Sequence, residues 1–384
     1  MSPKYNLGVD KIPMCDIIFT DRQTDRQTDR QTDRQTDRQT DRQTRNKYLD
    51  IVKYFTIFCV LWGHVVQQTC MLENPNYDYI YKLIYTFHMP LFMGICGYFF
   101  AKSVEKLGRQ EYIRIKLKKR LLGLIVPMCS FGFLVVIIHR NFSILNYLQA
   151  VHDVWFLGDL AINTILVLII LKWCDGKFVH DAKYFILGIP FASIPKIGYF
   201  ANGMFMYLFF VIGYWLAVYY KNDFYKNLRC WKYVLVVFII SFIALESMPY
   251  EPSGFLFSRH DYVKMIVVDS LKIVMGIAGC YLILVFIYRM IPFFKGKYLE
   301  RCAVARGRYT LDIYLLNIII IENIAGPLYR QLVEFYGFNL LHSYGLFFEI
   351  LSTFICACLM MEVIVFVGKM INKNHYLAKV LFYR

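Results

Sequence analysis

The sequence predicts an all-α integral membrane protein: a bundle of about ten transmembrane helices with both termini in the cytoplasm. Three observations predict it. The 384 residues are 58% hydrophobic and only 18% charged, against about 25% charged in ordinary soluble domains. Ten apolar stretches approach the roughly 20 residues that a helix needs to cross a bilayer. The loops between them share their basic residues unevenly, with 21 Lys and Arg in one alternate set and 4 in the other. The basic set marks the cytoplasmic side.

Residues 1–44 stand apart from 45–384, which form one transmembrane domain. From Asp21 to Thr44 the tetrapeptide DRQT occurs six times with no apolar side chain. Nothing there can be buried to offset the entropy of ordering, so the segment is expected to be disordered. A run of GACA units in the gene reads Asp-Arg-Gln-Thr across four codons. The tract is therefore expected to mark a slippage switch that moves the reading frame. Mixed synonymous codons in the gene would refute this. No clear signal peptide precedes it, because the apolar core of CDIIF is too short.

The predicted spans are Tyr48–Val66, Ile80–Phe100, Leu121–His139, Val154–Trp173 and Tyr184–Lys196, then Met204–Tyr220, Tyr233–Met248, Val263–Tyr288, Tyr309–Ile324 and Tyr344–Val367. The fifth is short and carries Gly188, Pro190 and Pro195, so it is broken or re-entrant. Without it, the basic loop after the sixth span would fall on the wrong side. The net charge of +15 is explained by the inner loops, and no nucleic-acid partner is expected. The eleven cysteines show no metal or redox spacing, so they read as small packing residues, and no metal is expected. Spans and short loops consume nearly all of 45–384, so any chemistry lies within the bundle.

Charged side chains at bilayer depth are costly and point to function. Lys53 and His64 lie eleven residues apart in the first span. Eleven steps of about 100° return to within about 20° of the starting face, over a rise of about 16 Å. One face thus offers a cation low down and an imidazole above it. Snorkelling toward Asp50 is the competing account of Lys53, and a helix-end position that of His64. In the second span His88 sits beside Pro90, which frees a carbonyl and kinks the helix. Gly94 and Gly97 there allow close approach of another helix. Arg114, Lys116, Lys118, Lys119 and Arg120 crowd the start of the third span. They suit either anionic lipid or a phosphate-bearing cofactor. Glu322 has no assigned partner in sequence.

In order, the stretches KYLDIVKYFTIFCVLWGH, FHMPLFMGICGYFF, KLKKRLLGLIVP, VWFLGDL, GYWL and YTLDIYLLN resemble the acyltransferase 3 family of bacterial integral-membrane O-acyltransferases. The likeness runs from about Arg45 to near the C-terminus. It implies transfer of an acyl group, usually acetyl, from cytoplasmic acyl-CoA to a hydroxyl of an envelope glycan such as lipopolysaccharide, O-antigen or capsule, in the inner membrane. It places the family's helix 1 cation and histidine on Lys53 and His64. Lys replaces the family's Arg; it keeps the charge but lacks the bidentate fork that suits phosphate. Arg120, with Lys116 and Lys119, stands where the family has a pair of Args. Asn317 replaces a frequent His and takes no proton-transfer role. Imidazole, with an ordinary pKa of about 6.5, suits proton removal from an attacking hydroxyl, with His88 assisting. A frame switch fits an enzyme that decorates an exposed antigen. A transporter of a small molecule or lipid-linked sugar is the alternative, although no internal repeat supports it. The sequence leaves the acceptor sugar and the oligomeric state open.

Overall fold

A computed structural model describes residues 46–70, 78–174, 178–193, 203–220, 229–245, 262–307, 309–337, 339, 341 and 345–383. The DRQT tract lies outside them. The described residues are helical, as lipid demands of a chain that must satisfy every backbone polar group internally. The helices are α1 (Lys47–Thr69), α2 (Tyr79–Leu107), α3 (Arg109–His139), α4 (Ile144–Asp153), α5 (Trp155–Ile170), α6 (Phe178–Ser193) and α7 (Gly203–Tyr219). After them come α8 (Trp231–Ala244), α9 (Tyr262–Phe294), α10 (Tyr298–Arg306), α11 (Thr310–Tyr336), α12 (Leu346–Lys373) and α13 (His375–Phe382).

Among the described residues, six helices are long and apolar enough to cross a membrane, and a seventh span is formed if the bent pair α4–α5 counts as one. The fourth predicted span is thus α5 joined to an amphipathic α4 at a 72° bend. Two further predicted spans are the shorter helices α7 and α8. The fifth coincides with α6, and its last residues, 194–196, fall outside the description. The protein is therefore multi-pass, with fewer full-length spans than ten among the described residues.

α1 is the hub. Near its start the Tyr48 hydroxyl donates to the Leu284 carbonyl of α9 (2.9 Å). Farther along, Trp62 Nε1 donates to Thr353 Oγ1 of α12 (3.1 Å). At its end Arg330 of α11 donates to Gln68 (2.6 Å). α11 runs parallel to α1. A Cβ on Gly307, just before α11, would run into the Asp50 backbone, and one on Gly326 would meet Gln68. The order Thr310, Asn317, Glu322 therefore climbs from the level of Lys53 toward that of His64.

α2 crosses α7 at backbone contact, and the small residues of GICG provide the approach. A Cβ on Gly97 would strike the Phe210 carbonyl, and one on Gly213 would strike the carbonyl of Gly94. Backbone cannot yield there as a flexible side chain can. Gly213→Ala is expected to abolish monodisperse protein in detergent. Gly123→Ala, where a Cβ meets nothing within 4 Å, is expected to leave it intact; equal yields would contradict the crossing.

Candidate active site

The first group gathers at the beginning of α1. Lys53 Nζ lies 2.8 Å from Asp50 Oδ1 and 4.8 Å from the centre of the Phe99 ring. Asp50 is buried, so a cation beside it offsets the cost of its desolvation. The Arg120 guanidinium covers the neighbouring Phe100 ring at 5.4 Å. Lys53 and Arg120 both act electrostatically on Cys96 of α2. Two cations, from α1 and α3, thus lie over adjacent rings of α2, Phe99 and Phe100. Nε of Arg120 is buried without a hydrogen-bond partner, although its guanidinium lies near the Tyr112 hydroxyl. Lys116 and Lys119, by contrast, are exposed on α3. Tyr112–Leu117 is π-helical, which changes the angular register between Lys116 and the residues before it.

The second group lies near the other end of α1. His64 Nδ1 is 2.9 Å from Glu322 Oε1. The contact is a close approach rather than an aligned hydrogen bond, since among the described residues Nδ1 has no partner in line with its ring N–H. Glu322 belongs to the π-helical stretch Ile318–Ala325 of α11. The wider turn sets it against α1, and such turns cluster at functional sites. The orientation leaves the opposite nitrogen, Nε2, for a reacting group.

His88 is buried, and its Nδ1 lies 2.8 Å from the Ile84 carbonyl. Proline at 90 frees the carbonyl four residues back, at Thr86, so the histidine bonds a different one from the carbonyl that the kink releases. The Tyr85 ring meets it edge-on at 4.4 Å, and it lies within electrostatic reach of His64. Its surroundings suit a group that supports the first histidine.

Sequence reasoning left Glu322 without a partner. The available signal was a carboxylate inside IIIIENIA, where an acid at bilayer depth calls for a cation or an imidazole. Four more buried polar residues lie on α5 and α11: Asp159, Asn163, Tyr314 and Asn317. Tyr314 lies against the Phe156 N–H at the start of α5 and within electrostatic reach of both Glu322 and Asp159.

The fold defines a class: a multi-pass helical membrane protein, here with a histidine–carboxylate pair at one level of the bundle and basic side chains at another. Residues 46–366 match the family Acyl_transf_3, described as an acyltransferase domain. The chain belongs to the acyltransferase 3 family and is a multi-pass membrane protein. It is 34% identical over 86 residues to the nodulation protein NolL of Sinorhizobium fredii (strain NBRC 101917 / NGR234). That stretch covers 22% of each protein, so the chain matches about a fifth of this relative's length. No solved structure matches the chain. Of the two classes open from sequence, membership selects the acyltransferase over the transporter.

Proposed function

We propose that the protein transfers an acyl group, acetyl by preference, from cytoplasmic acetyl-CoA to a hydroxyl of a cell-envelope glycan such as lipopolysaccharide, O-antigen or capsule. Residues 45–384 form its membrane domain in the bacterial inner membrane, crossing it ten times with both termini cytoplasmic, as the loop charges favour. The observation that carries the reading is the approach of His64 to Glu322 on the same helix that carries Lys53.

In the reaction, His64 Nε2 takes the proton of the acceptor hydroxyl as its oxygen attacks the thioester carbonyl carbon. The C–O bond forms and the C–S bond breaks. The proton passes from the imidazolium to the departing sulfur, giving the ester and free CoA thiol. Glu322 stabilises the imidazolium while the proton rests there. Lys53 and Arg120 hold the donor's phosphates; Lys116 and Lys119 raise the local concentration of anionic donor from the surface. His88 fixes the wall beside His64. The frame-shifting tract switches the enzyme, and hence the surface modification, on and off.

Membrane vesicles given acetyl-CoA labelled in the acetyl group are expected to transfer label to acceptor glycan; label remaining on CoA with acceptor present would overturn the reading. Lys53 allows a finer test. Lys53→Met alone removes the ammonium 2.8 Å from the buried Asp50 carboxylate and is expected to lower the stability of the protein. Lys53→Met with Asp50→Asn is expected to regain stability yet keep a KM for acetyl-CoA raised about tenfold, the effect of roughly 1.4 kcal/mol. Full recovery of KM in the double variant would reduce Lys53 to a structural partner of Asp50.

A further inference from the structure

Resting on the reading of the protein as an acyl-CoA enzyme, we propose that Asp159, Asn163 and Asn317 form the subsite that hydrogen-bonds the pantetheine arm of the donor. Asn163 and Asn317 are fully enclosed, and Asp159 is 1% exposed. Among the described residues, both carboxylate oxygens of Asp159, both amide atoms of Asn317 and Oδ1 of Asn163 lack a hydrogen-bond partner. The Asn163 amide nitrogen meets only the Met93 sulfur, at 3.9 Å, and thioether sulfur is a weak acceptor. Buried polar atoms are normally satisfied, so such a concentration calls for an explanation.

The three residues lie on two helices that meet at Phe156 and Tyr314. Asp159 and Asn163 are four apart on α5 and share a face. Asn317 lies three residues beyond Tyr314 on α11 and shares that residue's face. The two helices meet where the Tyr314 ring packs on Phe156, centroids 5.8 Å apart, and where Tyr314 comes within electrostatic reach of Asp159. Because α1 and α11 run parallel, Asn317 falls between the level of Lys53 and that of His64. A donor with its phosphates at Lys53 and Arg120 and its thioester at His64 must pass this level with the arm that joins them.

The chemistry of the seam matches that arm. Four of its five unpaired atoms are oxygens that accept, and one is an amide nitrogen that donates. Pantetheine carries two amide N–H groups and a hydroxyl as donors, and two amide carbonyls as acceptors. Its apolar segments suit the rings of Phe92 and Phe156, which lie 5.2 Å apart.

The test compares CoA with 3′,5′-ADP, which has the nucleotide phosphates but no arm, by calorimetric titration of the purified full chain in nanodiscs. The unmodified protein is expected to bind CoA more tightly than 3′,5′-ADP. Asn163→Leu and Asn317→Leu are expected to weaken CoA binding at least tenfold, with 3′,5′-ADP unaffected. Melting temperature should hold or rise, since leucine removes an unpaired buried amide without changing shape greatly. If Asn317→Leu does not insert, Asn317→Ala carries the same comparison. CoA affinity unchanged in variants that fold would overturn the subsite alone. So would an effect confined to the KM for acceptor glycan, which would give the seam to the sugar. Absence of CoA binding by the unmodified protein would instead remove the donor reading, and the subsite with it.

Discussion

His64→Ala is expected to abolish glycan acylation while the protein reaches the membrane in normal amount. General-base assistance is commonly worth about 10²–10⁴-fold, and the side chain removed is the proposed proton acceptor. Its loss should cost little stability: His64 is only partly buried and contacts a partly exposed carboxylate at 2.9 Å. The measurement is label transferred to glycan per unit of inserted protein, with wild type and variant matched by immunoblot. The lowered rate should appear in kcat with KM for acetyl-CoA little changed, because Lys53 and Arg120 remain. Wild-type acylation in the variant would end the assignment of His64 as base.

Glu322→Gln is the second large effect. It preserves size and hydrogen-bonding capacity but removes the charge that faces Nδ1. The imidazolium formed on proton transfer would then lose its counter-charge at 2.9 Å. Part of the same roughly 10²–10⁴-fold contribution should vanish with it. The two residues act as a unit, so His64→Ala combined with Glu322→Gln is expected to be no slower than His64→Ala alone. Multiplicative losses would show that Glu322 acts elsewhere, for example on the acceptor through Tyr314 or Asp153, both within its electrostatic reach. Glu322→Asp, which keeps charge but shortens reach, is expected to fall between wild type and Glu322→Gln.

The readable and unreadable parts of the site divide along one physical line. Lys53 and His64 could be placed on one face because the α-helical repeat is fixed and α1 carries no break between them. The close approach at Gly94 and Gly97 was legible because only small residues admit a neighbouring backbone. Arg120 could be named as a cation near the inner surface, but its place over the Phe100 ring, next to the Phe99 ring that Lys53 faces, could not. The basic cluster looked uniform in sequence. In the fold Arg120 turns inward over Phe100 while Lys116 and Lys119 stay exposed, after a π-helical turn alters the register of α3. Bond partners around Pro90 were equally beyond reach: His88 chose the Ile84 carbonyl.

By itself, then, the amino-acid sequence determined the medium and the local geometry: a chain too apolar for water, forced into helices by lipid, with a cation and an imidazole on one stripe of α1. Tertiary structure alone decided what that stripe faces. Glu322 meets His64 because α11 runs parallel to α1 and widens into a π-helical turn at the right level. Asp159 comes within electrostatic reach of Tyr314 because α5 begins at a sharp bend where Phe156 packs on that ring. Helical period is a property of neighbouring residues and can be counted along the chain. Pairing between distant helices depends on how their side chains and backbones pack in three dimensions, and no local spacing records it.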